Sequence, residues 1–286
     1  MAATTTLPRS PHEKIDWWAS TPFIICHLMP FAAIFTGVHL RDFVICAVLY
    51  WLRVFGLTAG YHRYFAHRSY RMGRIMQFII ALIGTLSVQK GVLWWAGHHR
   101  SHHRYSDGPE DIHSPKKGFW WSHVGWFLCR KYNATPFENI PDFAKYPELR
   151  WINKYHLVPP ILLAVGITWL WGWSALYIGF FLSTVLLWHG TFVINSLAHV
   201  WGRRRYVTTD TSRNNFFLAF ITMGEGWHNN HHRYQAAARQ GFYWWEFDPT
   251  YYMLKLLSWL GVIKKLRPVP ESAYREEDHI GGQAAA

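Results

Sequence analysis

Four apolar segments constrain this 286-residue chain more than any other feature. They run from about 21 to 39, 43 to 60, 156 to 172 and 174 to 194, and each approaches the ~20 residues with which a helix crosses a ~30 Å hydrocarbon layer. Short loops join the first segment to the second and the third to the fourth. Because a spanning segment must satisfy its own backbone hydrogen bonds, we predict an all-α integral membrane protein with four transmembrane helices in two hairpins.

A fifth apolar stretch, 75–93, is interrupted by polar residues, among them Gln77, Gln89 and Lys90. If it crossed the membrane, the histidine-rich segments on its two sides would lie on opposite faces and could not share a site. We therefore predict an interfacial or re-entrant helix. Most Lys and Arg then lie on one side, which the positive-inside rule makes cytoplasmic together with both termini. Residues 201–286 would complete a cytoplasmic helical cap and tail, and residues 1–286 would form a single domain.

One charge lies inside the second apolar segment. Arg53 is costly at that position, and we expect it either to pair with a carboxylate in the bundle or to extend to the interface.

Histidine is unusually frequent, with 18 residues, and it concentrates in short segments at or beyond the ends of the predicted spans. Residues three and four apart share a helix face, so the motifs H-x2-H-H and N-x3-H each direct their side chains to one side. The five-residue spacing of the first pair places its rings on different sides of a continuous α-helix, so they serve different metals or the helix unwinds. The candidate metal ligands are His62, His67, His99, His102, His103, Asn195, His199, His228, His231 and His232.

Nine imidazoles exceed what one metal ion can hold, so the set implies two adjacent ions with four or five ligands each. Asn195 could add a ligand through a water molecule. Imidazole suits Fe, Zn, Cu and Ni. Only three cysteines are present, without a C-x-x-C pair, which argues against a structural zinc site. An open coordination position is what O2 chemistry requires, so two Fe2+ ions are the preferred cofactors.

Several residues near the motifs have two interpretations. Asp107, Glu110, Asp111 and Glu225 could orient ligand imidazoles through hydrogen bonds, while loop charge and helix capping explain them equally well. His98 lies one position off the shared face of its motif, and isolated histidines such as His113 are more often packed or surface residues than ligands. We leave these histidines outside the ligand set.

In combination, the motifs closely resemble those of the membrane-bound Δ9 fatty acyl desaturases, the stearoyl desaturase family. The resemblance covers roughly residues 20–265 and is carried by GLTAGYHRYFAHRSY, WWAGHHRSHHRYSD, NSLAH and GEGWHNNHHRY. It implies a di-iron centre held by nine histidines and one water-bridging asparagine, at the ten positions named above. No catalytic residue beyond these ligands is implied.

The resemblance also implies an oxidoreductase that uses O2 and external electrons. Its product would be a cis double bond, at Δ9, in a saturated acyl chain carried on CoA or on a lipid. Fused relatives carry a cytochrome b5 domain with an HPGG motif, which this sequence lacks. The electron donor is therefore expected to be a separate protein of the ferredoxin or cytochrome b5 type.

An apolar tunnel is expected to hold the acyl chain, since each CH2 group removed from water contributes about 0.8 kcal/mol. Basic residues at its mouth could meet the phosphates of CoA or an anionic head group. The candidates for this contact are Arg9, Lys14, Arg68 and Arg71.

Two other functions stay open at this point. A related di-iron hydroxylase would begin with the same C–H abstraction and insert oxygen, and a non-enzymatic metal or haem carrier would use the histidines for transfer. Nucleic-acid binding is disfavoured despite the net charge of +12, because Lys and Arg are dispersed and no recognition module is present. Contact of basic residues with anionic membrane lipids accounts better for the charge.

Overall fold

The computed structural model describes residues 6–275 and 280. These residues form a mostly helical protein, in which two short antiparallel strands, Arg71–Met72 and Ile263–Lys264, make the only sheet of the described part. The α-helices are α1 (Thr21–Leu28), α2 (Leu40–Phe55), α3 (Arg74–Thr85), α4 (Val92–Tyr105), α5 (Pro141–Ala144), α6 (Pro147–Lys154), α7 (Val158–Trp171), α8 (Ser183–Asn195), α9 (Phe216–Ile221), α10 (His228–Arg233) and α11 (Pro249–Trp259). Wider π-helical segments cover Gly56–Ala66, Trp121–Gly125 and Ala175–Leu182. Narrower 3-10 segments cover Met29–Phe35, Pro115–Lys117, Arg130–Tyr132, Phe137–Asn139, Leu197–His199 and Glu271–Tyr274.

Two continuous helices, Leu40–Ala66 and Ala175–His199, are long and apolar enough to cross a membrane. They contain the second and fourth predicted spans, and they pack along each other. Gly179 permits this approach, because a Cβ atom there would lie 2.7 Å from Cγ2 of Ile45.

The other two predicted spans are shorter helices, Thr21–Phe35 and Val158–Trp171. In the first, the α-helix changes to a 3-10 helix at Met29 and Pro30, since proline lacks the amide hydrogen that would continue an α-helix. The second begins at Val158, with Pro159 and Pro160 in its first turn, and ends at Trp171, before Gly172, whose φ is 84°. The membrane crossing of all four segments therefore stays a prediction.

The 75–93 stretch is not one helix. It divides into α3, a turn, and the beginning of α4. The twelve residues of α3 rise ~18 Å, well short of the ~30 Å hydrocarbon layer. This helix lies against the π-helix Gly56–Ala66, where Gly56 and Gly84 touch so closely that a Cβ on Gly56 would lie 2.6 Å from the backbone nitrogen of Gly84. The histidine segments on the two sides of α3 consequently meet.

Arg53 is fully buried among the helices, so its guanidinium does not reach the surface, and it pairs with no carboxylate among the described residues. Nη1 donates to Oγ1 of Thr184 at 2.8 Å, Nη2 donates to Oγ of Ser183 at 2.5 Å, and Nε donates to the Leu49 carbonyl. The group also lies over the ring of Phe180. Both expectations for Arg53 were wrong, because hydroxyl and carbonyl oxygens of the bundle satisfy its donors instead.

The main hydrophobic core surrounds the π-helix Gly56–Ala66, all eleven residues of which are buried. Helices α3, α4 and α11 pack against this segment. Two segments that carry predicted ligands, the π-helix and α4, thus both contribute to this main hydrophobic core.

Candidate metal centre

The π-helix decides how the first two histidines are placed. Its hydrogen bonds join residues five apart, and the N–H of His67 donates to the carbonyl of His62 at 3.1 Å. Residues five apart therefore lie on one face, and the two ring centroids are 4.8 Å apart. Of the two possibilities that the spacing left open, the structure shows a change in helix winding, and both rings enter the same group.

This group is the five-histidine cluster, formed by His62, His67, His99, His103 and His231. Its Nε2 atoms follow one another at short distances. Nε2 of His62 is 3.0 Å from that of His231, which is 2.9 Å from that of His103. The Nε2 atom of His99 lies 3.0 Å from that of His103 and 2.9 Å from that of His67.

The spacing of these nitrogens fits a metal ion. Nitrogen ligands about 2.1 Å from a metal and at right angles to one another lie about 3.0 Å apart. Burial, reinforced by the neighbouring imidazoles, lowers the pKa of His99, His103 and His231 well below its usual range, so these rings are neutral and offer lone pairs. A set of neutral imidazoles suits iron as well as zinc, copper and nickel.

A second group, the four-histidine cluster, contains His102, His199, His228 and His232, all of them buried. Nε2 of His199 lies 3.2 Å from Nε2 of His228. Nε2 of His232 is buried without a hydrogen-bond partner among the described residues, as expected of an atom that awaits a metal. This donor set, too, fits a metal ion.

The two clusters adjoin, and the H-x2-H-H motifs supply both of them. On α4, His99 and His103 belong to the five-histidine cluster and His102 to the four-histidine cluster. On α10, His231 belongs to the five-histidine cluster, and His228 and His232 belong to the four-histidine cluster. The ring centroids of His103 and His232 are 4.5 Å apart across the boundary. Each motif thus directs its rings to one side of the helix but divides them between two sites.

Four buried carboxylates hold outer ring nitrogens of the clusters. A carboxylate at Nδ1 keeps the proton on that nitrogen and leaves the Nε2 lone pair for a metal. The Nδ1 contacts are Glu225 with His62 at 2.5 Å, Asp111 with His102 at 3.0 Å, Asp210 with His232 at 2.7 Å, and Asp107 with His199 at 3.5 Å.

Three of these carboxylates were candidates from the sequence, whereas Glu110 is exposed and contacts no imidazole among the described residues. Asp210 was missed, because nothing in its loop, YVTTDTS, marks it as a partner of His232.

The contacts between carboxylates and imidazoles shift the pKa values of both partners. Burial alone would raise the pKa of Asp107, but hydrogen bonds from His199 and Thr211 lower it to about 2. Burial would lower the pKa of His102, but Asp111 raises it.

Two histidines outside the predicted ligand set also lie close by. His113 forms a third group with His102 and Asp111, and its ring centroid is 4.2 Å from that of His102. His98 lies outside all three groups, and its Nε2 faces the carbonyls of Tyr132 and Ala134. The sequence offered no signal for His113, since it stands alone in a loop.

Asn195 belongs to neither cluster but lines the space between them. A cavity of about 50 Å³ is bordered by Asn195 together with rings from both clusters, including His99 and His228. A larger cavity of about 290 Å³ shares Trp95, His99, Thr191 and Asn195 with it. The larger cavity is mainly apolar, and its aromatic wall is formed by Phe23, Trp126, Phe127, Trp188 and Phe192.

The four basic residues predicted to meet the substrate do not line either cavity. Arg68 is paired with Asp142, whereas Arg71 lies in a strand opposite Lys264. Arg9 lies over the ring of Trp121, and Lys14 is exposed.

A different basic surface adjoins the apolar cavity. It is the basic pocket, of about 680 Å³, whose cations are Lys90, Arg150 and Lys154. It shares Lys90, Trp94, Asn133 and His156 with the apolar cavity. No carboxylate lines the basic pocket within the described residues.

The chain is similar in sequence to known proteins of one family. Residues 42–257 match the family model for fatty acid desaturases. The chain is 39% identical to the sn-2 palmitoyl-lipid 9-desaturase of Nostoc sp. (strain 36), over 78% of this chain and 80% of the relative. It is 35% identical to the sn-1 stearoyl-lipid 9-desaturase of Anabaena variabilis, over 92% of this chain and 97% of the relative. It is also 35% identical to the acyl-CoA C20 Delta5-desaturase of Anemone leveillei, over 93% of this chain and 88% of the relative.

These matches define a class of membrane-associated oxidoreductases that act on fatty acyl chains and use iron. The chain belongs to the fatty acid desaturase family.

Proposed function

We propose that this protein inserts a cis double bond, at Δ9, into a saturated acyl chain carried on a lipid or on CoA, using O2 and external electrons at two iron ions. The observation that carries the proposal is that two adjacent histidine clusters connect, through His99, with an apolar cavity. His99 belongs to one cluster and lines both the small cavity between the clusters and the large apolar one.

In this proposal each cluster holds one Fe2+ ion, and Asn195 adds a ligand through a water molecule. The bound irons would supply the activation of O2 towards aliphatic C–H bonds. For each double bond, the two CH2 groups and one O2, with two electrons and two protons, become a CH=CH unit and two water molecules. The electrons would come from a separate donor of the ferredoxin or cytochrome b5 type.

The protein's own residues position the reaction. The carboxylates of Asp107, Asp111, Asp210 and Glu225 keep protons on the outer nitrogens of four ligands, so that the inner nitrogens stay free for metal. The aromatic wall excludes water from the acyl chain, whose burial supplies binding free energy of about 0.8 kcal/mol for each CH2 group.

The basic pocket supports a carrier that bears phosphate. Three cations without a carboxylate among them stand beside the apolar cavity, so a ligand with an anionic end and an aliphatic chain would satisfy both regions. Nζ of Lys90 is already held by Oδ1 of Asn133 at 2.6 Å, which fixes it at the junction. We propose Lys90, Arg150 and Lys154 as the head-group contacts, in place of the four basic residues expected from the sequence.

We further propose that all four apolar segments lie in the bilayer, with the histidine clusters and both termini on the cytoplasmic side. The two shorter helices support this because large apolar side chains on them are exposed, among them Phe31 and Phe35 on the first and Leu162 and Trp169 on the second. Exposed apolar surface of this kind is suited to contact with lipid.

The experiment that tests the function compares total fatty acids, with double-bond positions from mass spectrometry, in a desaturase-deficient host. The host would express the wild type, His231→Ala, or the matched control His12→Ala, which removes an exposed histidine far from the motifs in sequence. We expect new Δ9 monounsaturated chains from the wild type and the control but not from His231→Ala. Hydroxylated acids in their place would contradict the proposal.

A further inference from the structure

Gln240 lies directly behind the five-histidine cluster. It is buried, and its side-chain amide nitrogen is 3.4 Å from Nδ1 of His231 and 3.3 Å from Nδ1 of His62. Its amide oxygen has no hydrogen-bond partner among the described residues. One buried amide therefore lies beside the outer nitrogens of two neighbouring rings.

The requirements of a metal ligand decide which end of this amide must face His231. A histidine that offers Nε2 to a metal carries its proton on Nδ1, and this N–H group needs an acceptor. His62 has one in the carboxylate of Glu225, at 2.5 Å. For Nδ1 of His231, the amide of Gln240 is the only hydrogen-bonding side chain among the described residues. Half a turn about the last side-chain bond presents the oxygen of Gln240 to that N–H group.

A buried ionic network fixes Gln240 in this place. Its backbone N–H donates to Oδ2 of Asp248 at 2.7 Å, and Asp248 in turn accepts from Nη1 of Arg63 at 3.0 Å. Arg63 also donates to Glu225. The same buried guanidinium thus supports both acceptors, Glu225 behind His62 and Gln240 behind His231.

We propose that Gln240 is a positioning residue of the five-histidine cluster. Its amide oxygen accepts the Nδ1 proton of His231, which holds the ring in the tautomer and orientation that metal binding requires. The inference rests on the proposed function in one respect, namely that this cluster holds one of two metal ions. It assigns to Gln240 the task that carboxylates perform behind His62, His102, His199 and His232.

The test measures metal binding rather than activity. Gln240→Met keeps the length of the side chain but removes the acceptor, Gln240→Glu restores an acceptor, and Gln235→Met is the control in the same segment. Purified full-length variants would be titrated with Fe2+ and with Co2+, whose absorption spectrum reports on its ligands, against a chelator of known affinity. Thermal unfolding would be followed on the same samples.

We expect Gln240→Met to lower the affinity for one of the two ions by about 10- to 100-fold, as is found when other hydrogen-bond partners of metal-bound histidines are removed. The affinity of Gln240→Met for the second ion should stay close to that of the wild type. Gln240→Glu and Gln235→Met should bind both ions with affinities close to those of the wild type. If Gln240→Met does not fold, Gln240→Asn replaces it, because its shorter amide cannot reach His231. This variant should lower the affinity for the same ion. Wild-type affinity for both ions in whichever of these two variants folds would overturn the role of Gln240 alone. A wild type that binds no metal would overturn the proposed function as well.

Discussion

The contact between Asp210 and His232 gives the sharpest prediction about the four-histidine cluster. Oδ2 of Asp210 lies 2.7 Å from Nδ1 of His232, and its Oδ1 accepts from the hydroxyl of Thr208 and the backbone N–H of Ser212. In Asp210→Asn the amide oxygen can keep the two bonds to Thr208 and Ser212. The NH2 group then faces Nδ1 and forces the proton onto Nε2, the nitrogen that the metal needs.

The magnitude follows from the bond that is lost. A hydrogen bond to a charged group contributes about 1.5 to 3 kcal/mol. Since about 1.4 kcal/mol corresponds to a factor of ten, this predicts a loss of roughly 10- to 100-fold in the affinity for one metal ion. Both side chains are buried, so water cannot replace the missing acceptor.

The assay is competition for Fe2+ between the purified protein and a chelator of known affinity. Glu110→Gln is the matched control, because Glu110 is an exposed carboxylate near the same cluster in sequence and contacts no imidazole in the described part of the chain. An unchanged affinity in Asp210→Asn, or an equal loss in Glu110→Gln, would refute the reasoning.

Three further predictions concern other parts of the molecule. Asn195→Ala should lower the rate of desaturation in the host assay while leaving both metal ions bound, since its contact runs through water; loss of an ion from the purified variant would contradict this. Arg150→Ala with Lys154→Ala should raise KM for a phosphate-bearing substrate with little change in kcat, and Lys145→Ala, outside the basic pocket, should not; parallel assays with acyl-CoA and with a phospholipid show which carrier is used. Gly56→Val should destabilise the protein by about 1 to 3 kcal/mol, because its side chain would overlap α3; a thermal unfolding temperature equal to that of the wild type would refute that packing argument.

The motif spacing was a good guide to which rings come together. All nine histidines predicted as ligands lie in the two clusters. Spacings of three and four bring the histidines of α4 and of α10 to one side of each helix, whereas the π-helix brings His62 and His67 together. The division of the two H-x2-H-H motifs between the clusters could not be predicted, since it depends on which segments pack around α4 and α10. The π-helix could not be predicted from the sequence either. Its extra residue per turn is stabilised by tertiary packing around Gly56 and Gly60, and no periodicity in the sequence reveals it.

The surroundings of the clusters were harder to predict than the clusters themselves. Asp210 and Gln240 come from irregular segments, where no repeat connects a residue with its partner. The basic pocket was missed for a related reason, because Arg150 and Lys154 are far in sequence from every motif and reach the cavity only through the fold. The first helix departed from expectation at Pro30, where regular α-helical hydrogen bonding gives way to a 3-10 helix.

The most direct measurement is a single turnover of the purified, iron-loaded protein. The protein would be reduced chemically, so that no donor protein is needed, and then given O2 and a saturated acyl substrate deuterated at carbons 9 and 10. Our account predicts a Δ9 cis alkene that has lost two deuterium atoms, formed by the wild type and not by His231→Ala. An oxygenated product, or an unchanged substrate in the presence of two bound and reduced irons, would contradict it.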